Sequence, residues 1–193
     1  MNRDNKSIDH EILLAEFAAL RAEILQRKNT QWNTFVLQLT AAGVVFSFAL
    51  SNPSHTGFLL ILPVITYALT GRYVNQFDGI QKVGAYIHEV LEVRAKGQLH
   101  WEEWIRAQPV TARILTWFNP LFLVFPGVAV IALAWVAPFV WAGHSTPIGK
   151  RVLIVIIWLV GVAITALSFQ LTSRVAAKHW SRILRRRPAK PGA

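Results

Sequence analysis

The chain has 193 residues, 20 Lys and Arg against 10 Asp and Glu, a formal net charge of +10, and no cysteine. Hydrophobic residues make up 53% and charged residues 16%, where an average soluble domain carries about 25% charged residues. Such a chain is too apolar for disorder, and without cysteine it holds neither a disulfide scaffold nor a thiolate metal site; a basic nucleic-acid-binding surface stays open until the charges are located.

Residues 1–31 read as a cytoplasmic amphipathic helix. Leu13, Phe17, Leu20 and Ile24 follow the alternating four-three spacing that puts one apolar stripe on a helix, and Ser7 or Asp9 can cap its start. The helix is polar and carries both charge signs, so it is not expected to be a cleavable signal. It flows without Gly or Pro into the first of three long charge-free runs, Asn29–Gly71, Ile114–Gly149 and Val152–Ser173.

A membrane-spanning helix needs about 20 mainly apolar residues. The first run is long enough for two, because the turn signal Ser51-Asn52-Pro53-Ser54-His55-Thr56-Gly57 divides it. Four spans are therefore expected, at 32–51, 57–74, 117–141 and 152–173. Buried helices of a soluble core are excluded, because soluble helices keep a solvated face. The second span is short before Arg72, which must snorkel, and Pro63 is expected to kink it.

Between spans two and three, residues 75–113 are expected to form a cytoplasmic helix and a Trp-containing connector. Tyr73, Phe77, Ile80, Gly84, Ile87 and Leu91 make a second stripe, with Asp78, Lys82, Glu89 and Glu92 off it, and Gly97 ends the helix. Each cytoplasmic arm then has about 24 residues, or roughly 36 Å. Two matched arms leaving an outer-loop hairpin bury their stripes most economically on each other as an antiparallel pair; the alternative is that each lies flat on the membrane. In the connector, Trp101, Trp104 and Ile105 share a helical face. That face either docks at the headgroup level or anchors a partner, since Trp and Arg are enriched in hot spots.

Spans three and four flank Lys150-Arg151. Residues 174–193 form a basic tail: Arg174, Lys178, Arg182, Arg185, Arg186, Arg187 and Lys190. Clusters of this kind just inside a span are drawn to anionic lipid headgroups by about 1 kcal/mol per residue. With four spans, every Lys and Arg except Lys150 and Arg151 lies on one side, which makes that side cytoplasmic. Trp32, Trp117 and Trp180 mark the inner interface and Trp141 the outer one. Trp135 and Trp158 fall within spans and read as packing residues. The basicity thus belongs to topology, and nucleic acid is not expected as a partner.

Motifs for chemistry are nearly absent: no HExxH, P-loop, GxGxxG or GxSxG. The His/carboxylate group His88, Glu89, Glu92, His100 and Glu103 is cytoplasmic. His88 and Glu92 have a spacing that can place two ligands on one metal, but an i,i+4 contact on a solvated face is the plainer reading. Apart from Arg72 near the end of span two, the spans hold no Asp, Glu, Lys, Arg or His, which argues against a coupled transporter. Their polar content is a face of Thr34, Gln38 and Ala41 on span one, and a stripe of Gly161, Thr165, Ser168 and Thr172 on span four. Intra-bundle packing or self-association accounts for these; a pore lined by them would need an oligomer.

The stretch Leu20-Arg21-Ala22-Glu23-Ile24-Leu25-Gln26-Arg27, running from Phe17 into the first span, resembles small bacterial multi-pass membrane proteins of uncharacterised role. The likeness extends to Gly84-Ala85-Tyr86-Ile87 and to Trp101…Trp104, and covers roughly residues 12–106. It implies a fold type and no catalytic residues.

The expected fold is all-α: an integral membrane protein with four transmembrane helices and a cytoplasmic antiparallel pair extending from spans one and two. It is expected in the bacterial inner membrane, with both termini cytoplasmic. The expected function is a non-enzymatic, oligomeric interaction or regulatory module without a cofactor. Its partners are membrane lipids and either a second copy or another protein. Alternatives are an oligomeric pore or membrane-disrupting effector in bacterial defence, and a lipid-processing enzyme using His88, Glu92 or His100.

Overall fold

The computed structural model describes residues 3–94, 120–142 and 148–185, and these are helical throughout except at Asn52. Four helices are long and apolar enough to cross a membrane, His10–Ser51, Pro53–Arg94, Pro120–Trp141 and Ile148–Val175.

The first helix, α1 (Arg3–Ser51), is 49 residues long. No proline interrupts it, and it passes from the charged segment into the charge-free run without a break. It stops where Pro53 forces the preceding residue out of the helical region. Asn52 is extended, with φ −152° and ψ 131°. Its carboxamide oxygen accepts from the Ser54 N–H and from the Ser54 hydroxyl, each at 2.9 Å. Its carbonyl accepts from the His55 N–H at 2.9 Å. One non-helical residue is therefore enough to reverse the chain, where the sequence suggested a loop over Ser51–Gly57. Phe48 closes the hairpin, stacked on His55 at 4.4 Å and edge-on to Phe58 at 5.0 Å.

The return begins as a 3-10 helix, Pro53–Ile61, and becomes α2 (Leu62–Tyr86). The change of helix type absorbs Pro63. The Leu62 N–H still bonds the Leu59 carbonyl in the tighter pattern, and Pro63 falls in the first turn of α2, where a missing N–H costs no internal bond. Below Tyr86 the helix widens into a π-turn, Ile87–Leu91, and continues to Arg94.

The third rod opens with Pro120–Phe122 and a π-turn, Leu123–Gly127, that contains Pro126. It then runs as α3 (Val128–Ala142). Proline removes a ladder donor, and widening the turn is one way to accommodate that loss. The wide turn brings the Phe122 carbonyl against Gly127, where a Cβ would stand 2.9 Å from that oxygen. The last helix, α4 (Ile148–Arg185), has 38 residues.

The apolar core lies where α1, the hairpin, and α3 meet: Ala42, Ala49, Leu59, Leu62, Ala132, Val136 and Val140. Small residues on α1 and α3 let the rods approach closely. Two polar ties join α3 to α4. The Trp158 indole donates to the Leu133 carbonyl at 3.1 Å, next to the turn that Pro138 loosens. The Arg151 guanidinium donates to the Trp141 carbonyl at 3.1 Å. That second tie gives Arg151 a structural reason for its place: it caps the C-terminal end of α3, where a cation meets orphan carbonyls and the negative end of the helix dipole.

Candidate functional site

The feature with most chemistry is the seam between α1 and α2. Its ties can be followed from the charged end inward. The Tyr86 hydroxyl donates to Glu16 Oε1 at 2.7 Å. This bond to the carboxylate, with some desolvation, raises the Tyr86 phenol above its usual value of 10. Next, Arg27 donates from Nε and Nη2 to Glu23 Oε1 at 2.9 and 2.7 Å, and from Nη1 to Gln76 Oε1 at 3.3 Å. The guanidinium lies across Gly79, where a Cβ would be 2.3 Å from Nη1. Deeper in the charge-free run, Gln38 Nε2 donates to the Thr66 hydroxyl at 2.9 Å, and Thr70 bonds back to the Thr66 carbonyl at 2.7 Å. Residue numbers on α1 rise as those on α2 fall.

Between the Arg27 and Gln38 levels stands Phe125, 1% exposed. It comes from the π-turn of the third rod and sits 6.4 Å from Phe35 and 5.5 Å from Tyr73, ring centre to ring centre. Two buried amide atoms have no partner among the described residues: Gln31 Nε2 and Gln38 Oε1.

The stripes read from the sequence lie on the inward face of this pair. Leu13, Phe17 and Leu20 are half-buried and Ile24 is buried; on α2 and the π-turn, Phe77 and Ile80 are half-buried, and Ile87 and Leu91 are buried. Trp101 and Trp104 lie outside the described residues. Arg174 is exposed on α4, and Lys178, Arg182 and Arg185 continue that helix; Arg186 and Arg187 lie outside the described residues.

The small-polar stripe of α4 is used within the chain. Gly161, Thr165, Ser168 and Thr172 are buried. A Cβ on Gly161 would stand 3.0 Å from Leu133 and 3.4 Å from Pro63. Each hydroxyl is satisfied by its own helix, Thr165 by the Gly161 carbonyl, Ser168 by Ile164 and Thr172 by Ser168. The opposite face turns Leu153, Ile156, Leu159, Val160 and Phe169 outward, each more than half exposed.

His88 Nδ1 and Glu92 Oε2 are hydrogen-bonded to each other one turn apart. Among the described residues, no group of three or more His, Cys, Asp and Glu is arranged to hold a metal ion. His100 and Glu103 lie outside the described residues.

Sequence reasoning missed Thr66, Thr70, Arg27 with Gln76, and Phe125. Thr66 and Thr70 carried a signal, two hydroxyls four apart in a charge-free run. Gly79, three residues after Gln76, was a weaker one. No family model, curated protein or solved structure matches the chain.

Proposed function

We propose that the chain is a multi-pass protein of the bacterial inner membrane, with both termini cytoplasmic. It acts as a non-enzymatic interaction or regulatory module. The charged halves of α1 and α2 form a cytoplasmic antiparallel pair that engages a second copy or another protein, and the state of that pair is conveyed into the membrane bundle. One observation carries this reading: α1 is a single helix through both surroundings, tied to α2 at the charged level by Arg27–Gln76 and at the apolar level by Gln38–Thr66. A rigid rod held at two levels cannot tilt at one without moving at the other.

Membrane residence is supported by inverted polarity: α4 buries Thr165, Ser168 and Thr172 and exposes its large aliphatic residues. A soluble surface rarely carries so large an apolar patch. The cytoplasmic side follows from the Lys and Arg distribution, and bacterial origin from the resemblance in the first half. Leu14 and Leu25, eleven residues apart on one outward face of α1 and 48% and 68% exposed, offer apolar surface to a partner. A pore has less support, because the α4 stripe it would use is covered within the chain. A lipid-processing enzyme rests on His88 and Glu92, which pair with each other.

The test is cross-linking in native membrane with wild type and the double variant Leu20→Glu, Ile87→Glu. The expected result is loss of the cross-linked partner or oligomer while the chain stays in the membrane. Unchanged cross-links, oligomer size and folding would show the reading to be wrong.

A further inference from the structure

At the charged end of the α1–α2 seam is a recess of about 330 Å³ lined by Glu23, Gln26, Arg27, Thr30 and Gln76. It sits at the rim of the charge-free run, with Lys28 the last charge before that run and Arg72 the first after it. Its two charges are held in place and incompletely used. Arg27 spends three of its five N–H donors on Glu23 and Gln76, which leaves two. Both bonds to Glu23 fall on Oε1, so Oε2 is left to accept. The side chains are 32% and 41% exposed, and both poles stay reachable.

We propose that this recess binds a zwitterionic phospholipid headgroup carrying a primary ammonium, of the phosphatidylethanolamine type; the inference rests on the membrane reading above. The phosphate takes the two remaining Arg27 donors, a charge-assisted contact. The ammonium donates to Glu23 Oε2, and the Gln26 and Gln76 amides and the Thr30 hydroxyl surround the linker. A purely anionic headgroup meets Glu23 with the wrong sign. A choline headgroup has no N–H to donate. The position at the rim selects lipid over a soluble molecule with the same headgroup. Trp32 lies on the next turn, 63% exposed and stacked on Phe35, and Val36 and Leu37 turn apolar surface outward beyond it.

The full chain, purified in mild detergent, is exposed to phosphatidylethanolamine, phosphatidylcholine and phosphatidylglycerol, and retained lipid is read by native mass spectrometry. Phosphatidylethanolamine is expected to be favoured at least about tenfold, the value of one hydrogen bond to a charged group. Glu23→Gln should erase that preference, and Arg27→Gln, which removes the contact to the phosphate that all three lipids share, should lower the retention of all three. Gly79→Ala is the sharper variant. It keeps both charges and favours the helix, but its methyl displaces the guanidinium, so the retention of all three lipids should fall while thermal unfolding stays at or above wild type. Equal retention of the three lipids by wild type, a preference that survives Glu23→Gln, or retention unchanged by Arg27→Gln and Gly79→Ala, overturns the proposal. Soluble glycerophosphoethanolamine should fail to displace the lipid at equal concentration; equal displacement overturns the lipid source. Carbonate extraction separates the two levels. A chain released by carbonate refutes the membrane reading itself, whereas a retained chain without lipid preference refutes only the headgroup site.

Discussion

The charged half and the charge-free half of the α1–α2 pair differ in where they put their polar side chains. In the charged half, Ile24, Ile87 and Leu91 are buried, and Glu11, Lys82 and Glu89 are exposed. In the charge-free half, Gln38, Thr66 and Thr70 are buried alongside Ala42, Ala49 and Leu62, and Val36, Leu37, Leu39 and Val64 face outward. The same two helices invert between Lys28 and Arg72. The first arrangement is that of a protein in water, where apolar area is removed from solvent at roughly 25 cal/mol per Å². The second suits lipid, where outward aliphatic area carries no penalty and polar groups gain by facing each other. In the proposed topology this one helix pair would pass through two surroundings, which is the physical basis of the proposed coupling.

The comparison breaks most severely if the charged half loses its apolar seam. Leu91→Asp places a carboxylate at a position that is 0% exposed. It should cost about 4 kcal/mol or more, from the lost side chain and the buried charge together. Denaturation of the detergent-purified chain measures it, and a cost below about 1 kcal/mol would mean the arms do not pack as a unit.

A paired substitution tests the inversion directly. Val160 and Leu25 are both outward, 51% and 68% exposed. In the proposed topology Val160→Lys puts an ammonium into hydrocarbon near the middle of the span, at about 2.5–3.5 kcal/mol of insertion free energy. Leu25→Lys sits in water and should change stability by no more than about 0.5 kcal/mol. A membrane-insertion assay on both variants decides this; equal effects at the two sites would remove the two-surroundings argument.

The parts of this architecture that depend on local composition were legible in the sequence. Charge-free runs, the stop before Pro53 and the stripes from Leu13 to Leu91 all follow from spacing along one helix. The π-turns were not legible. A stripe drawn through Ile87 and Leu91 at ordinary helical spacing gives no sign of the wider turn that carries both to the inside. Nor does Pro126 by itself announce that its turn will set Phe125 between Phe35 and Tyr73. The Arg27 site was hidden for a different reason. It joins residues 49 apart, and its footing is the missing side chain of Gly79, which only the folded pair brings beneath the guanidinium. The hydroxyls of α4 were legible as a stripe, but the side they face was settled by Leu133 and Pro63, on other helices.

Smaller effects sharpen the comparison within each half. In the charge-free half, Gln38→Leu removes the bond to Thr66 and also the unpartnered Oε1. Interhelical hydrogen bonds in lipid average about 0.6 kcal/mol, so the loss should be near that value and well below that of Leu91→Asp. Unfolding in mild detergent measures it. A gain in stability would show that the orphan oxygen costs more than the bond returns.

The smallest effect belongs to the charged half and depends on pH. The Tyr86 phenol is raised above 10, chiefly by its bond to Glu16. The folded chain therefore favours the protonated phenol. Its contribution is complete below the unfolded value near 10 and is lost as pH climbs through the higher folded value. Thermal melts of wild type and Tyr86→Phe should run parallel from pH 7 to about 9 and converge above about 10. The charge-free seam holds no ionisable partner at Gln38, Thr66 or Thr70, so Gln38→Leu should stay offset from wild type by the same amount at every pH. Parallel curves for Tyr86→Phe through the alkaline range would mean that the Glu16 bond does not contribute to holding the arms together.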